Sequence, residues 1–249
     1  MICAVVDGIV HQNPIPWDLG AFTMDIVLIP GALATSKFWH YQEHFLKGCM
    51  RVHHAENYFG KTVSDMAESL LPDLPLKFVL IGFSLGGYIA LELMKQCPER
   101  VTKLVLINSG AKALSEKGVS ERRRSVELIQ RGKFELLVSS IFKNTLYDKQ
   151  KYTELLVLLR SMAYEIGIER YIDQLTAMIH KPDQTDILAS IRCPTLLLAS
   201  KEDQVMPVAL SQHMASYIDD VKLTYLENCG HAAPLEQPDL LNDVLLNWL

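Results

Sequence analysis

Residues Phe78 to Met94 read FVLIGFSLGGYIALELM, and their reading decides the fold. An unbroken apolar run, Phe78 to Ile81, stops at Gly82. Ser84 stands at the turn, and Gly86 and Gly87 lead into Leu85, Ile89 and Leu93 at helical spacing. The pattern predicts a strand, a sharp turn and a helix, with a hydroxyl at the apex. A serine there sits in strained backbone geometry. Its neighbours two residues away must then lack bulk if strand and helix are to cross closely, and Gly82 and Gly86 meet that need. A helix opening at Ser84 also aims unpaired N–H groups at whatever the serine attacks, which favours a developing negative charge. Ser84 is the candidate nucleophile.

Working outward, the chain alternates. Strand-like apolar runs lie near residues 26–30, 51–55, 78–82, 103–108, 194–200 and 222–226, with helical stretches between them. Such alternation predicts an α/β protein whose parallel sheet is covered on both faces. Between Gly110 and Ile187 the alternation lapses into helix-like material alone, in Ser120 to Gln130, Phe134 to Phe142, Tyr152 to Tyr164 and Glu169 to Ile179. Ahead of the first strand, Ile2 to Val10 reads as a candidate hairpin with Asp7-Gly8 as its turn, closed off by Pro14 and Pro16.

On the Gly82-Phe83-Ser84-Leu85-Gly86 turn and its strand–helix setting, the chain resembles the α/β-hydrolase-fold superfamily, in particular its small, lid-bearing serine esterases. The resemblance covers roughly residues 24 to 249. It implies an α/β-hydrolase fold: a mostly parallel central sheet, helices on both faces, and a helical lid inserted after the strand at 104–108. The core would be residues 1–110 and 186–249, and the lid or cap residues 111–185. It also implies a serine, an acid and a histidine in that chain order, plus an upstream oxyanion loop.

His231 fits the histidine. It lies in Glu227-Asn228-Cys229-Gly230-His231-Ala232-Ala233-Pro234, just after the strand pattern Val221 to Leu226, where a general base could reach across to the serine. Asp203 fits the acid: it follows the buried-type strand Cys193 to Ala199 and stands four residues before Pro207, as the family pattern has it. Glu202 is its nearest rival and reads as solvated. The oxyanion loop matches Ile26 to Ser36, with Pro30-Gly31 where the family usually has His-Gly. The implied donors are the backbone N–H groups of Leu85 and Ala32, with Leu33 in place of Ala32 if the register slips by one. A second departure is the absence of a Gly-x-Gly-x-Ser stretch after residues 51–55, where Ala55 to Gly60 run directly toward a helix.

Composition bounds the rest. A chain of 249 residues, 49% hydrophobic, can bury one large α/β core. The net charge of −5 comes without a basic stripe, which argues against nucleic acid as a partner. Arg122-Arg123-Arg124 reads most simply as a solvated helix face, with a grip on an acidic substrate as the minority reading. Five cysteines without a C-x-x-C pair, and no positive region ahead of an apolar stretch, lead us to expect reduced thiols, no signal peptide and a cytoplasmic location. Phe78 to Met94 is too short, and too broken by glycine and Glu92, for a membrane span. His40 and His44 are spaced like a metal pair but lack a third ligand and read as a solvated helix face, and the triad chemistry that the resemblance implies requires neither a metal nor a cofactor.

These readings converge on a serine hydrolase that cleaves a carboxylic ester of a small to medium, largely apolar acyl group through an acyl-enzyme, with a small-molecule ester-like substrate as its partner. The same triad serves carbon–carbon bond hydrolases, enol-lactonases and thioesterases, and a ligand receptor of this fold can retain it with little turnover. Ser84 excludes the aspartate-nucleophile chemistry of haloalkane dehalogenases and epoxide hydrolases. Tyr88 stands where the menaquinone-pathway synthase of this fold carries an arginine.

Overall fold

A computed structural model describes residues 24–148 and 153–249; the candidate hairpin at Ile2 to Val10 lies outside the described residues. The elements run β1 (Asp25–Ile29), α1 (His40–Leu46), β2 (Arg51–His54), α2 (Val63–Leu70), β3 (Phe78–Phe83), α3 (Leu85–Gln96) and β4 (Val101–Ile107). There follow α4 (Glu116–Gln130), α5 (Phe134–Phe142), α6 (Thr153–His180) and α7 (Thr185–Leu188). The chain closes with β5 (Thr195–Ser200), α8 (Val208–Ala215), β6 (Val221–Leu226), α9 (Ala233–Glu236) and α10 (Pro238–Trp248). All six strands expected from the sequence are present within a residue or two of their expected ends.

The strands form one parallel sheet in the order β2-β1-β3-β4-β5-β6. Because both faces are buried in the middle of the sheet, β1, β3, β4 and β5 are largely apolar and their side chains alternate between two cores, whereas the edge strands β2 and β6 carry polar, part-exposed residues. Ile26, Leu28, Val79, Ile81, Val105, Ile107, Leu196 and Leu198 face the layer that includes Leu46, Leu241 and Leu245 of α1 and α10. Val27, Ile29, Leu80, Leu104, Leu106 and Leu197 face Met66, Ile89, Leu93 and Met214 of α2, α3 and α8. The chain leaves β1 for the edge strand β2 and returns on the other side as β3. The loops after β1 and β3 therefore part company, which opens a crevice at their C-terminal ends.

Helices α4, α5 and α6 stand between β4 and β5 in the chain, and α6 bends at Gly167, whose φ of 76° and ψ of 175° interrupt its helical backbone. The expected break between Tyr164 and Glu169 is thus a kink within one long helix. From α6, Gln174 bonds the Leu33 N–H, Arg170 bonds the Glu56 carbonyl and Glu165 pairs with Lys37, so this helix is tied to the loops after β1 and β2.

Candidate active site

The turn after β3 has the predicted shape for a reason visible at two glycines. Ser84 adopts φ 52° and ψ −116°, a conformation rarely taken by residues with a side chain. A Cβ on Gly82 would lie 2.6 Å from the Gly86 carbonyl oxygen, and one on Gly86 would lie 2.3 Å from the Ile29 oxygen. The first contact lets α3 fold back on β3; the second lets α3 press against the end of β1. Ser84 is further pinned by its N–H to the Ile107 carbonyl (3.1 Å) and by the Ser109 hydroxyl to its own carbonyl (2.8 Å).

The three residues expected to act together do meet. His231 Nε2 is 3.0 Å from Ser84 Oγ, and His231 Nδ1 is 2.7 Å from Asp203 Oδ2. Asp203 sits just beyond β5, and its other oxygen accepts the N–H groups of Val205 (2.7 Å) and Met206 (2.9 Å), which fix the carboxylate plane. A carboxylate facing Nδ1 holds the proton on that nitrogen and leaves the Nε2 lone pair toward Ser84. Glu202 points elsewhere. Its carboxylate accepts the Cys229 N–H at 3.0 Å, so it anchors the loop carrying His231 instead of being free in solvent as its sequence context suggests.

Several residues that hold this arrangement carry no sequence signal of their own. Asn108, at φ 45° after β4, donates from Nδ2 to the His231 carbonyl (2.8 Å) and the Ser200 hydroxyl (2.9 Å), and accepts the Ser200 N–H at 2.8 Å. The Phe83 ring lies 4.8 Å from the His231 ring and stacks on Phe38 at 4.4 Å. The Thr145 carbonyl accepts the His231 N–H at 2.7 Å, and Glu236 accepts the N–H groups of Tyr147 (2.8 Å) and Ala232 (3.2 Å). Burial pushes the Glu236 carboxyl above its ordinary range, against the pull of those N–H donors. Cys229, directly before Gly230, has its thiol pushed up to about 12 by burial, and remains a protonated spacer.

The upstream N–H groups considered as oxyanion donors differ in their bonding. Leu33, at φ 59°, gives its N–H to Gln174 Oε1 (3.1 Å), so this donor is already engaged. The N–H groups of Ala32 and Leu85 take no hydrogen-bond partner among the described residues, and both residues line the cavity at Ser84. Tyr58 stands in the stretch that lacks the Gly-x-Gly-x-Ser pattern. Its hydroxyl donates to the Gly31 carbonyl (3.1 Å) and accepts from Gln174 Nε2 (3.3 Å), bracing the turn from below.

A cavity of about 430 Å³ opens above Ser84 and His231. Among the apolar side chains between β4 and β5, Leu137, Ile141, Phe142 and Leu159 line it. Leu136 and Tyr164 are exposed instead, and Leu155, Leu158 and Met162 pack among the helices. Arg122 also turns into the cavity while Arg123 and Arg124 stay in solvent, so the arginine run is only partly a solvated face. Among the described residues no group of three His, Cys, Asp or Glu side chains could hold a metal ion, and no helix is long and apolar enough to cross a membrane.

A profile of the alpha/beta hydrolase family matches residues 26–244. The chain belongs to that family. It is 24% identical over 249 residues to a pimeloyl-(acyl-carrier protein) methyl ester esterase of Aromatoleum aromaticum, covering 89% of this chain and 98% of the relative. It is 26% identical over 266 residues to a 2-hydroxy-6-oxononadienedioate/2-hydroxy-6-oxononatrienedioate hydrolase of Paraburkholderia phymatum, covering 96% and 90%. Among solved structures, a thermophilic esterase from Thermogutta terrifontis superposes with a TM-score of 0.82 at 24% identity over 90% of this chain and 89% of that one. The enol-lactonase of Burkholderia xenovorans gives 0.83 at 17% identity, covering 93% of each chain. These likenesses establish the fold and a hydrolase ancestry; the chemistry has to be read from the site.

Proposed function

We propose that the chain is a serine hydrolase that cleaves carboxylic esters through an acyl-enzyme, with Ser84 as nucleophile, His231 as general base and acid, and Asp203 as the group that orients and stabilises His231. The observation that carries this reading is the hydrogen-bonded series Ser84–His231–Asp203, at 3.0 and 2.7 Å, at the floor of a mostly apolar cavity. His231 takes the Ser84 proton as Oγ attacks the ester carbonyl. The N–H groups of Leu85 and Ala32 receive the oxyanion, and His231 then returns the proton to the departing alkoxide. Water, activated by the same imidazole, releases the acid. No step calls for a cofactor.

Residues 111–185 act as the lid in this account. Leu137, Ile141, Phe142 and Leu159 would shape the space available to the acyl group, while the three reacting residues stand outside the lid. A relative named as a methyl ester esterase agrees with the ester reading. A panel of p-nitrophenyl esters, acyl thioesters and lactones tests it. The reading expects rapid multiple turnover of esters and an acyl adduct visible by intact mass at early times. Retention of a ligand without turnover, or thioesters or lactones preferred by orders of magnitude, would contradict it.

A further inference from the structure

The cavity over Ser84 is apolar along most of its wall but carries three charged side chains, the cations Lys181 and Arg122 and the anion Glu121. Lys181, at the end of α6, is only 4% exposed. Its ammonium donates to the Lys112 carbonyl and lies 3.9 Å from the centre of the Tyr88 ring. An ammonium has three donors, and no carboxylate among the described residues forms an ion pair with this one. Asp183 is the acidic group that acts on it, from a distance, with an oxygen committed to the Thr185 N–H at 2.9 Å. Arg122, on α4, spends one donor on the Gly118 carbonyl at 3.3 Å and approaches Glu121 no closer than 3.8 Å. Glu121 thus answers Arg122 in part, whereas the buried Lys181 ammonium has no carboxylate of its own, an unfavourable arrangement unless something answers it. The effect is visible on Lys181, whose ammonium is pushed down from 10.5 to about 7, by burial first and by Arg122 second.

The position of this pair relates it to the chemistry. Tyr88 lies four residues after Ser84, one helical turn or about 6 Å along α3, on the side that faces the cavity. Lys181 caps that ring. A ligand bonded at Ser84 would therefore meet the ammonium after a spacer of a few carbons.

We propose that Lys181 and Arg122 form an anion-recognising end of the cavity, so that the preferred ester bears a carboxylate a few carbons from its scissile bond. This rests on the ester-hydrolase reading for its substrate, but the recognition itself is a binding property. The carboxylate would sit between the two cations and answer the Lys181 ammonium, while the apolar wall holds the spacer.

The test pairs kinetics with binding. Monomethyl esters of four- to six-carbon dicarboxylic acids are compared with methyl alkanoates of equal length, and butyrate esters of short hydroxy acids with butyrate esters of the matching neutral alcohols. The two series distinguish an anion on the acyl side from one on the alcohol side. One series should show a preference for the charged member of roughly 10- to 100-fold in kcat/KM, as expected of a charge-assisted contact. That ratio should collapse toward one in Lys181→Met and fall in Arg122→Gln, mainly through KM, and be retained in part in Lys181→Arg. A purely structural lysine would lower both members of a pair together and leave the ratio unchanged. In parallel, glutarate should raise the melting temperature of the wild type and not of Arg122→Gln, a variant on the rim that leaves the buried lysine in place. The binding arm decides the inference even if esters are not turned over, in which case the hydrolase reading fails by itself. Absence of a charged preference in both series together with no effect of glutarate, or a preference that survives both substitutions, overturns the proposal.

Discussion

Asn108→Ala removes the strap beneath the candidate triad. The Asn108 side chain makes three close bonds, to the His231 carbonyl (2.8 Å), the Ser200 hydroxyl (2.9 Å) and the Ser200 N–H (2.8 Å), and both Asn108 and Ser200 are 1% exposed. Alanine leaves the Ser200 N–H buried without an acceptor, at about 1–3 kcal/mol, and forfeits roughly 1 kcal/mol at each of the other two contacts. The left-handed backbone at φ 45° persists without the polar side chain that eases it, adding up to about 1 kcal/mol. A total of about 3–6 kcal/mol corresponds to a melting temperature lower by roughly 6–24 °C in a chain of this size. His231 loses the restraint on its carbonyl, so kcat on an activated ester, measured well below the transition, should also fall by about tenfold or more. Asn108→Asp keeps the acceptor for Ser200 N–H but turns a carboxylate oxygen toward the His231 carbonyl, and should be at least as impaired at neutral pH. Calorimetry and steady-state kinetics on both variants suffice. An unshifted melting temperature would show that the bonds contribute nothing net; lost stability with unchanged kcat would show that the strap does not position His231.

Three other predictions are narrower. Asp203→Asn should lower kcat by orders of magnitude, because the imidazole loses its anionic partner and its enforced tautomer, whereas Glu202→Gln should chiefly lower stability through the Cys229 N–H; the reverse ranking in kcat would reassign the acid. Between about pH 7 and 10.5 the unfolded chain holds a proton on Lys181 that the folded chain does not, so this residue's contribution to stability rises with pH across that window, by at most about 5 kcal/mol. Denaturant titrations at pH 7 and pH 10 should therefore show Lys181→Met losing ground to the wild type as pH increases, and a pH-independent difference would contradict the burial argument. Phe142→Ala should move the acyl chain-length optimum upward while Tyr164→Ala, at a half-exposed position against Phe134, should leave it in place; one unchanged optimum for both would make residues 111–185 a cover without a role in selection.

The sequence reveals those parts of the fold that depend on local pattern. Phe78 to Met94 announces its strand, turn and helix because close approach admits only glycine at Gly82 and Gly86, and the four inner strands announce themselves because a doubly covered parallel sheet is largely apolar there, while β6 shows through its alternation. His231 and Asp203 are legible through their position after strands. Asn108, Phe83 and Glu236 are not, since an asparagine after a strand, an aromatic beside a serine or a glutamate in a short helix is unremarkable until the loops come together. Local context also misleads at Glu202, which looks solvated beside Lys201 yet closes onto the Cys229 N–H. The same holds for Arg122, which looks like its neighbours in a charged run and turns inward because α4 lies along the cavity. Tyr58 and Gln174 replace a missing loop motif with a hydrogen-bonded pair drawn from distant parts of the chain, which no short motif encodes.

The central claim is that Ser84 is the nucleophile, and covalent labelling tests it most directly. A fluorophosphonate probe applied to the full chain, followed by peptide mapping, should place a single adduct on Ser84. Ser84→Ala should lose the adduct, keep its melting temperature within a few degrees, and lose activated-ester turnover by about 10⁴-fold or more. An adduct on another residue, or a Ser84→Ala protein that hydrolyses esters near the wild-type rate, would contradict the account.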